Sequence, residues 1–243
     1  MHGPRLYGVG VGPGAPDLLT LRAARILRSV PVMALPRRSE REDSVAGCIA
    51  IESVGEIVGQ ERLPLIFPAT ADLALRRAAR DVAAREISKR LRQGLEVAFV
   101  TEGDPLLYSS FLDLLAEVPR HFPGVAVEIV PGVTSVTAVA AAARVPLADG
   151  NDRVAILPAS QALAHIPRLA REFDSVVLLK VGAVLPALID ALRGAGILGR
   201  ALLVNDATTP RERVVRDLDA LSVSDAGNYS TMLILRERGE NDS

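Results

Sequence analysis

Apolar residues recur along this chain in two alternating rhythms. Continuous short runs at 6–11, 32–35, 97–100 and 125–130 read as strands buried on both faces. Between them, Ala, Leu, Val and Ile at three- and four-residue spacing mark helices at 21–27, 72–92, 111–116 and 134–143. Thr20 stands at the cap position of the first helix, and Pro36 is expected to stop the second strand. Strand followed by helix, repeated, predicts a mainly parallel sheet covered on both faces.

The run Arg144-Val145-Pro146-Leu147-Ala148-Asp149-Gly150-Asn151-Asp152 has linker composition and divides the chain into domains 1–148 and 149–243. Beyond it, strands are expected at 153–157, 175–179 and 201–204, with helices around 163–170 and 185–192. Segments 212–218 and 229–235 read as a closing antiparallel pair, which makes the second sheet mixed. The expected fold class is therefore α/β, with two α/β domains and a ligand cleft between them.

Chemistry concentrates where strands end. Thr101-Glu102-Gly103-Asp104-Pro105-Leu106-Leu107-Tyr108 follows one strand, and Pro131-Gly132-Val133-Thr134-Ser135 follows the next. Open α/β sheets bind ligands at the carboxyl ends of their strands. Two acids beside a flexible Gly and a rigid Pro suit a turn that holds a cationic ligand, although an ordinary Gly-Asp-Pro turn has the same composition.

Two glycine motifs invite a dinucleotide reading. Gly10-Val11-Gly12-Pro13-Gly14-Ala15 follows the first strand, but Pro13 and Pro16 remove N–H donors that a phosphate would need. Gly194-Ala195-Gly196-Ile197-Leu198-Gly199 follows a helix and precedes a strand, the inverted context, and reads as a helix C-cap with a turn. An NADP-dependent oxidoreductase stays open as the alternative from a different class.

Composition narrows the field further. A net charge of -1 argues against a nucleic-acid partner whose binding depends on neutralising phosphates. No stretch reaches the ~20 apolar residues of a membrane span, and the N-terminus runs straight into a strand pattern, so a cytoplasmic protein is expected. Cys48 is the only cysteine, and His2, His121 and His165 are scattered, so no metal site is expected. Basic residues are almost all arginine. Arg37, Arg38 and Arg41 cluster after the second strand, where guanidinium forks suit carboxylates.

Several motifs in fixed order carry a resemblance. They are Leu6-Tyr7-Gly8-Val9-Gly10-Val11-Gly12-Pro13-Gly14 with Leu18-Leu19-Thr20-Leu21, the segments 101–109 and 131–135, Val145-Pro146-Leu147-Ala148, Ala155-Ile156-Leu157-Pro158-Ala159, and Leu179-Lys180-Val181-Gly182. Together they resemble the tetrapyrrole methylase family over nearly the whole chain. The Thr-Glu-Gly-Asp-Pro-Leu-Leu-Tyr-Ser form is similar to the branch that methylates C20 of precorrin-2 in cobalamin biosynthesis. The resemblance implies S-adenosylmethionine as cofactor, a tetrapyrrole substrate with or without cobalt, and a homodimer. It implies cofactor contacts at Pro13, Glu102, Gly103, Asp104, Leu107, Thr134, Ser135, Val181 and Ala207. Arg37, Arg38 and Arg41 are then candidates to hold substrate carboxylates. Some relatives have Met where Val181 aligns and Gly where Ala207 aligns. No residue is identified as a general base, and methylation at another carbon of a tetrapyrrole is the nearest alternative.

Overall fold

A computed structural model describes residues 3–221 and 230–235 of the chain. These residues form two compact units that divide between Thr134 and Ser135. The first unit is built from β1 (Arg5–Gly10), α1 (Leu21–Ser29), β2 (Val32–Arg37), α2 (Val45–Val54), β3 (Glu61–Ile66), α3 (Leu73–Arg92), β4 (Val97–Thr101), α4 (Phe111–His121) and β5 (Ala126–Val130). Side chains start three of its helices: Thr20 accepts from the Ala23 N–H, Ser44 from Gly47, and Asp72 from Ala74 and Leu75.

The first sheet is parallel throughout, in the order β3-β2-β4-β1-β5. Its faces alternate residue by residue, as a strand requires. Leu6, Val97 and Phe99 pack with Ile87, Leu91, Phe111 and Leu114 of α3 and α4. Tyr7, Ala98 and Val100 pack with Ala23, Leu27, Ala46 and Ile49 of α1 and α2 on the opposite face. The expected parallel sheet covered on both sides is what the chain forms. At Gly8 a Cβ would stand 2.4 Å from the Phe111 ring, so this position lets α4 lie directly on β1.

Two elements of this unit are invisible in the periodicity. Strand β3 contains Pro64, and it occupies the sheet edge, where a missing N–H is tolerated. Helix α2 is apolar on most sides and carries Gly47, so it shows little amphipathic pattern. Strand β2 also runs through Pro36, which does not stop it, and ends at Arg37.

The second unit holds α5 (Ser135–Ala143), β6 (Val154–Pro158), α6 (Ala159–Ala162), α7 (Ile166–Glu172), β7 (Ser175–Leu179), α8 (Leu185–Gly194), β8 (Ala201–Asn205), β9 (Arg213–Val215) and β10 (Ser230–Leu235). Its sheet order is β6-β7-β10-β8-β9. Strands β6 and β7 are parallel, while β10 runs antiparallel to both β7 and β8. The closing strands therefore do not pair with each other: β8 lies between β10 and β9 and is antiparallel to both. Tyr229, the expected first residue of the last strand, and His2 lie outside the described residues. Helices α6, α7 and α8 supply the core on one face, and α5 packs on β8 and β10. Linker composition at 144–152 places a boundary at 148/149, whereas the compact units divide after Thr134 because α5 packs within the second. Gly196, with φ at 69°, turns the chain just past α8 as a C-cap glycine should.

Candidate ligand site at a strand switch point

The strand order of the first unit singles out one place. From β1 the chain crosses over β4 to reach β2, and from β4 it crosses over β1 to reach β5. Neighbouring strands whose connections leave in opposite directions open a crevice at their carboxyl ends. The loops there are 11–15 after β1 and 102–109 after β4, with 131–134 after β5 beside them.

Backbone contacts lock these loops together. The Val11 N–H donates to the Thr101 carbonyl at 2.9 Å, and the Gly103 N–H donates to the Gly12 carbonyl at 2.7 Å. Gly12 and Gly103 adopt φ of 87° and 64°, a region glycine occupies without strain. Gly10 and Gly132 matter for a different reason. A Cβ on Gly10 would stand 2.5 Å from the Gly103 carbonyl oxygen, and one on Gly132 would stand 2.2 Å from the same atom. The three loops thus meet at a contact only glycine backbones allow.

Asp104 ties the junction down. Its Oδ1 accepts from the Leu106 N–H at 2.8 Å, closing the turn, and its Oδ2 accepts from the Gly132 N–H at 3.1 Å. Thr101 is buried and its hydroxyl accepts from Ser109, whose own oxygen accepts from the first N–H of α4. Tyr108, a non-glycine residue at φ 54°, completes a tightly constrained loop.

Glu102 is the electrostatic feature of the site. Solvent still reaches the residue, yet protein crowds its carboxyl enough that desolvation pushes the pKa above the ordinary value, opposed by the positive charge of Arg38. A carboxylate in that condition gains from a cation. Arg37 and Arg38 reach the same edge because β2 lies beside β4. The Arg37 Nε is buried and has no hydrogen-bond partner among the described residues, a donor awaiting an acceptor. Arg41 is exposed on the following loop.

The fold therefore gathers Glu102, Gly103, Asp104 and the 131–134 loop at the switch point, with Pro13 and Leu107 in the loops that form it and Arg37 and Arg38 along the same sheet edge. Thr134 ends the 131–134 loop, and Ser135 opens α5. Val181 and Ala207 follow β7 and β8 of the second unit, and both are buried. The Val181 side chain belongs to that unit's core, and its N–H donates to the Ser230 carbonyl at 3.3 Å. Each comes directly after a non-glycine residue with positive φ, Lys180 at 58° and Asp206 at 45°. Nothing in the sequence signals that strain. Gly10 and Gly132 carry no sequence signal of their role either, because the need for glycine there arises from loops that meet only in the fold.

The first loop argues against a dinucleotide. Pro16 opens a short 3-10 turn and α1 starts only at Leu21, so no helix N-terminus follows directly on the glycines.

Comparison with known proteins identifies the family and the fold. The model of the family described as Tetrapyrrole (Corrin/Porphyrin) Methylases matches residues 5–221. The chain is 34% identical to the cobalt-precorrin-2 C(20)-methyltransferase of Salmonella typhimurium, covering 97% of this chain and 98% of that one. It is 32% identical to the precorrin-2 C(20)-methyltransferase of a Sinorhizobium species, covering 84% of each. Its fold is similar to the uroporphyrin-III C-methyl transferase of Thermus thermophilus, solved in complex with S-adenosylhomocysteine. That match has a TM-score of 0.67 at 24% identity and covers 94% of this chain and 96% of that one.

Proposed function

This chain belongs to the tetrapyrrole methylase family, and we propose that it moves a methyl group from S-adenosylmethionine to C20 of precorrin-2 or its cobalt-bearing counterpart. The observation that carries this reading is the likeness, along nearly the full length of both chains, to a relative named for that reaction. Nothing in the comparisons favours a dinucleotide oxidoreductase.

The residues of the switch point fit a cationic methyl donor. Glu102 offers an under-solvated carboxylate, and the glycine junction leaves backbone groups free of side chains at the crevice. When bound, S-adenosylmethionine supplies an electrophilic methyl on sulfur. The chain's task is to align a carbon nucleophile behind that methyl at about 3–3.5 Å and to keep water out. Glu102 would hold the positive charge. Asp104 would hold the loop that carries Gly103 and Leu107 against Gly132, with Pro13 and Thr134 at its margins. Ser135 is a proposed contact at the start of α5. Val181 and Ala207 are proposed contacts through their backbone, since their side chains are buried. Arg37 and Arg38 would take substrate carboxylates, the first through its unsatisfied Nε, and Arg41 is a candidate beside them. A homodimer working in the cytoplasm is part of the proposal, and sedimentation equilibrium tests the dimer.

The deciding experiment supplies methyl-labelled S-adenosylmethionine with precorrin-2, with and without cobalt, and locates the label by NMR. Label at C20 supports the reading, and the better substrate of the two identifies the route. Label at another carbon, or none with either form, overturns it.

A further inference from the structure

At the far end of α4 from the ligand loops, the fold assembles three side chains that lie apart in sequence. Glu117 and His121 stand four residues apart on α4, which sets them on one face of the helix. Asp81 projects from α3, which packs alongside. One ligand atom from each of the three residues lies within 4.8 Å of the others, and His121 Nε2 is 2.9 Å from Asp81 Oδ1. All three are half-buried.

We infer that Asp81, Glu117 and His121 form a binding site for a transition-metal dication, with Zn²⁺ the best match. One imidazole and two carboxylates are a donor set that suits Zn²⁺, and partial exposure leaves room for water as the fourth ligand. Ligand bonds of about 2.0–2.2 Å put tetrahedral neighbours about 3.3–3.6 Å apart, so side-chain shifts on the order of 1 Å complete the geometry. Two arginines compete for the carboxylates. Arg85 donates to Asp81 Oδ2 at 2.7 Å and Arg120 to Glu117 Oε2 at 3.1 Å. The two arginine side chains are 64% and 71% exposed, so each guanidinium can swing into solvent at little cost and a dication can displace it. Arg92 lies nearby but donates to the His121 carbonyl, leaving the ring alone. The metal would clamp α3 to α4 and has no part in methyl transfer.

The test uses untagged, chelator-treated full-length protein carrying Cys48→Ser, because that exposed thiol also takes Zn²⁺. Titration calorimetry with zinc chloride is expected to show one bound equivalent, accompanied by a rise in melting temperature. His121→Ala and Glu117→Gln should each weaken binding by about tenfold or more, with far-UV circular dichroism checking that both variants fold. Asp81→Asn serves if either does not. Arg85→Ala should tighten binding, since it removes a cation from beside a ligand. Absence of binding in the parent protein overturns the inference, as does binding that survives unchanged in a folded His121→Ala or Asp81→Asn variant.

Discussion

Replacing Gly132 by Ala tests the idea that three glycine backbones hold the ligand loops in register. The new Cβ would stand 2.2 Å from the Gly103 carbonyl oxygen and 2.9 Å from both the carbonyl carbon and Cα of Gly10. A comfortable carbon–oxygen approach is about 3.3 Å, so the loops must separate by about 1 Å. The atoms in the way are backbone, and no side chain can swing aside to absorb the shift. Overpacking of this kind costs about 1–3 kcal/mol. For a chain of this size that corresponds to a melting temperature lower by about 2–12 °C. The same displacement moves Glu102 and Asp104 relative to the first loop, and a 1 Å misplacement costs about 100-fold in rate. Gly194→Ala is the control. Gly194 closes α8 with open space around it, so a methyl there should be neutral or stabilise by about 0.4–1 kcal/mol. Thermal melts, calorimetry with S-adenosylhomocysteine and steady-state kinetics on both variants read the result. If Gly132→Ala melts, binds and turns over like the parent, the glycine junction has no role in shaping the site.

Asp104→Asn keeps the Leu106 bond but turns an amide toward the Gly132 N–H or loses charge there; stability should fall by about 1–3 kcal/mol together with S-adenosylhomocysteine affinity. A drop in affinity at unchanged melting temperature would mean that the carboxylate meets the ligand directly. Glu128 is held below its ordinary pKa, first by the hydrogen bond from Arg22 and also by Arg5. Its contribution is therefore present above the unfolded value of about 4.5 and fades as pH falls through the depressed folded value. Urea unfolding should show Glu128→Gln less stable by about 1 kcal/mol at pH 7, with the difference shrinking in acid; a constant difference refutes the assignment. Changing Arg37 and Arg38 together to Ala should raise KM for the tetrapyrrole and weaken its salt dependence, leaving S-adenosylhomocysteine affinity nearly unchanged. An unchanged KM at low and high salt places the substrate carboxylates elsewhere.

What the sequence determined by itself is local. Short continuous apolar runs and three-to-four-residue spacing marked most strands and helices, because each pattern depends on neighbours within a turn or two of chain. Thr20 announced a helix start for the same reason: a cap bonds to an N–H group a few residues on. The two loops rich in Gly, Pro, acid and hydroxyl groups were legible as strand ends for the same cause. Which strands lie side by side was not, since pairing joins residues nearly a hundred positions apart, as Leu6 joins Val97. That pairing alone sets β1 beside β4 and creates the switch point. It also puts Pro64 on a sheet edge, and β10 between β7 and β8 rather than against β9. The contact of Gly10, Gly103 and Gly132, and the meeting of Asp81 with Glu117 and His121, likewise arise from packing. Residue type shows what a side chain can do, but only the order of strands and the seating of helices decide which groups come within reach of one another.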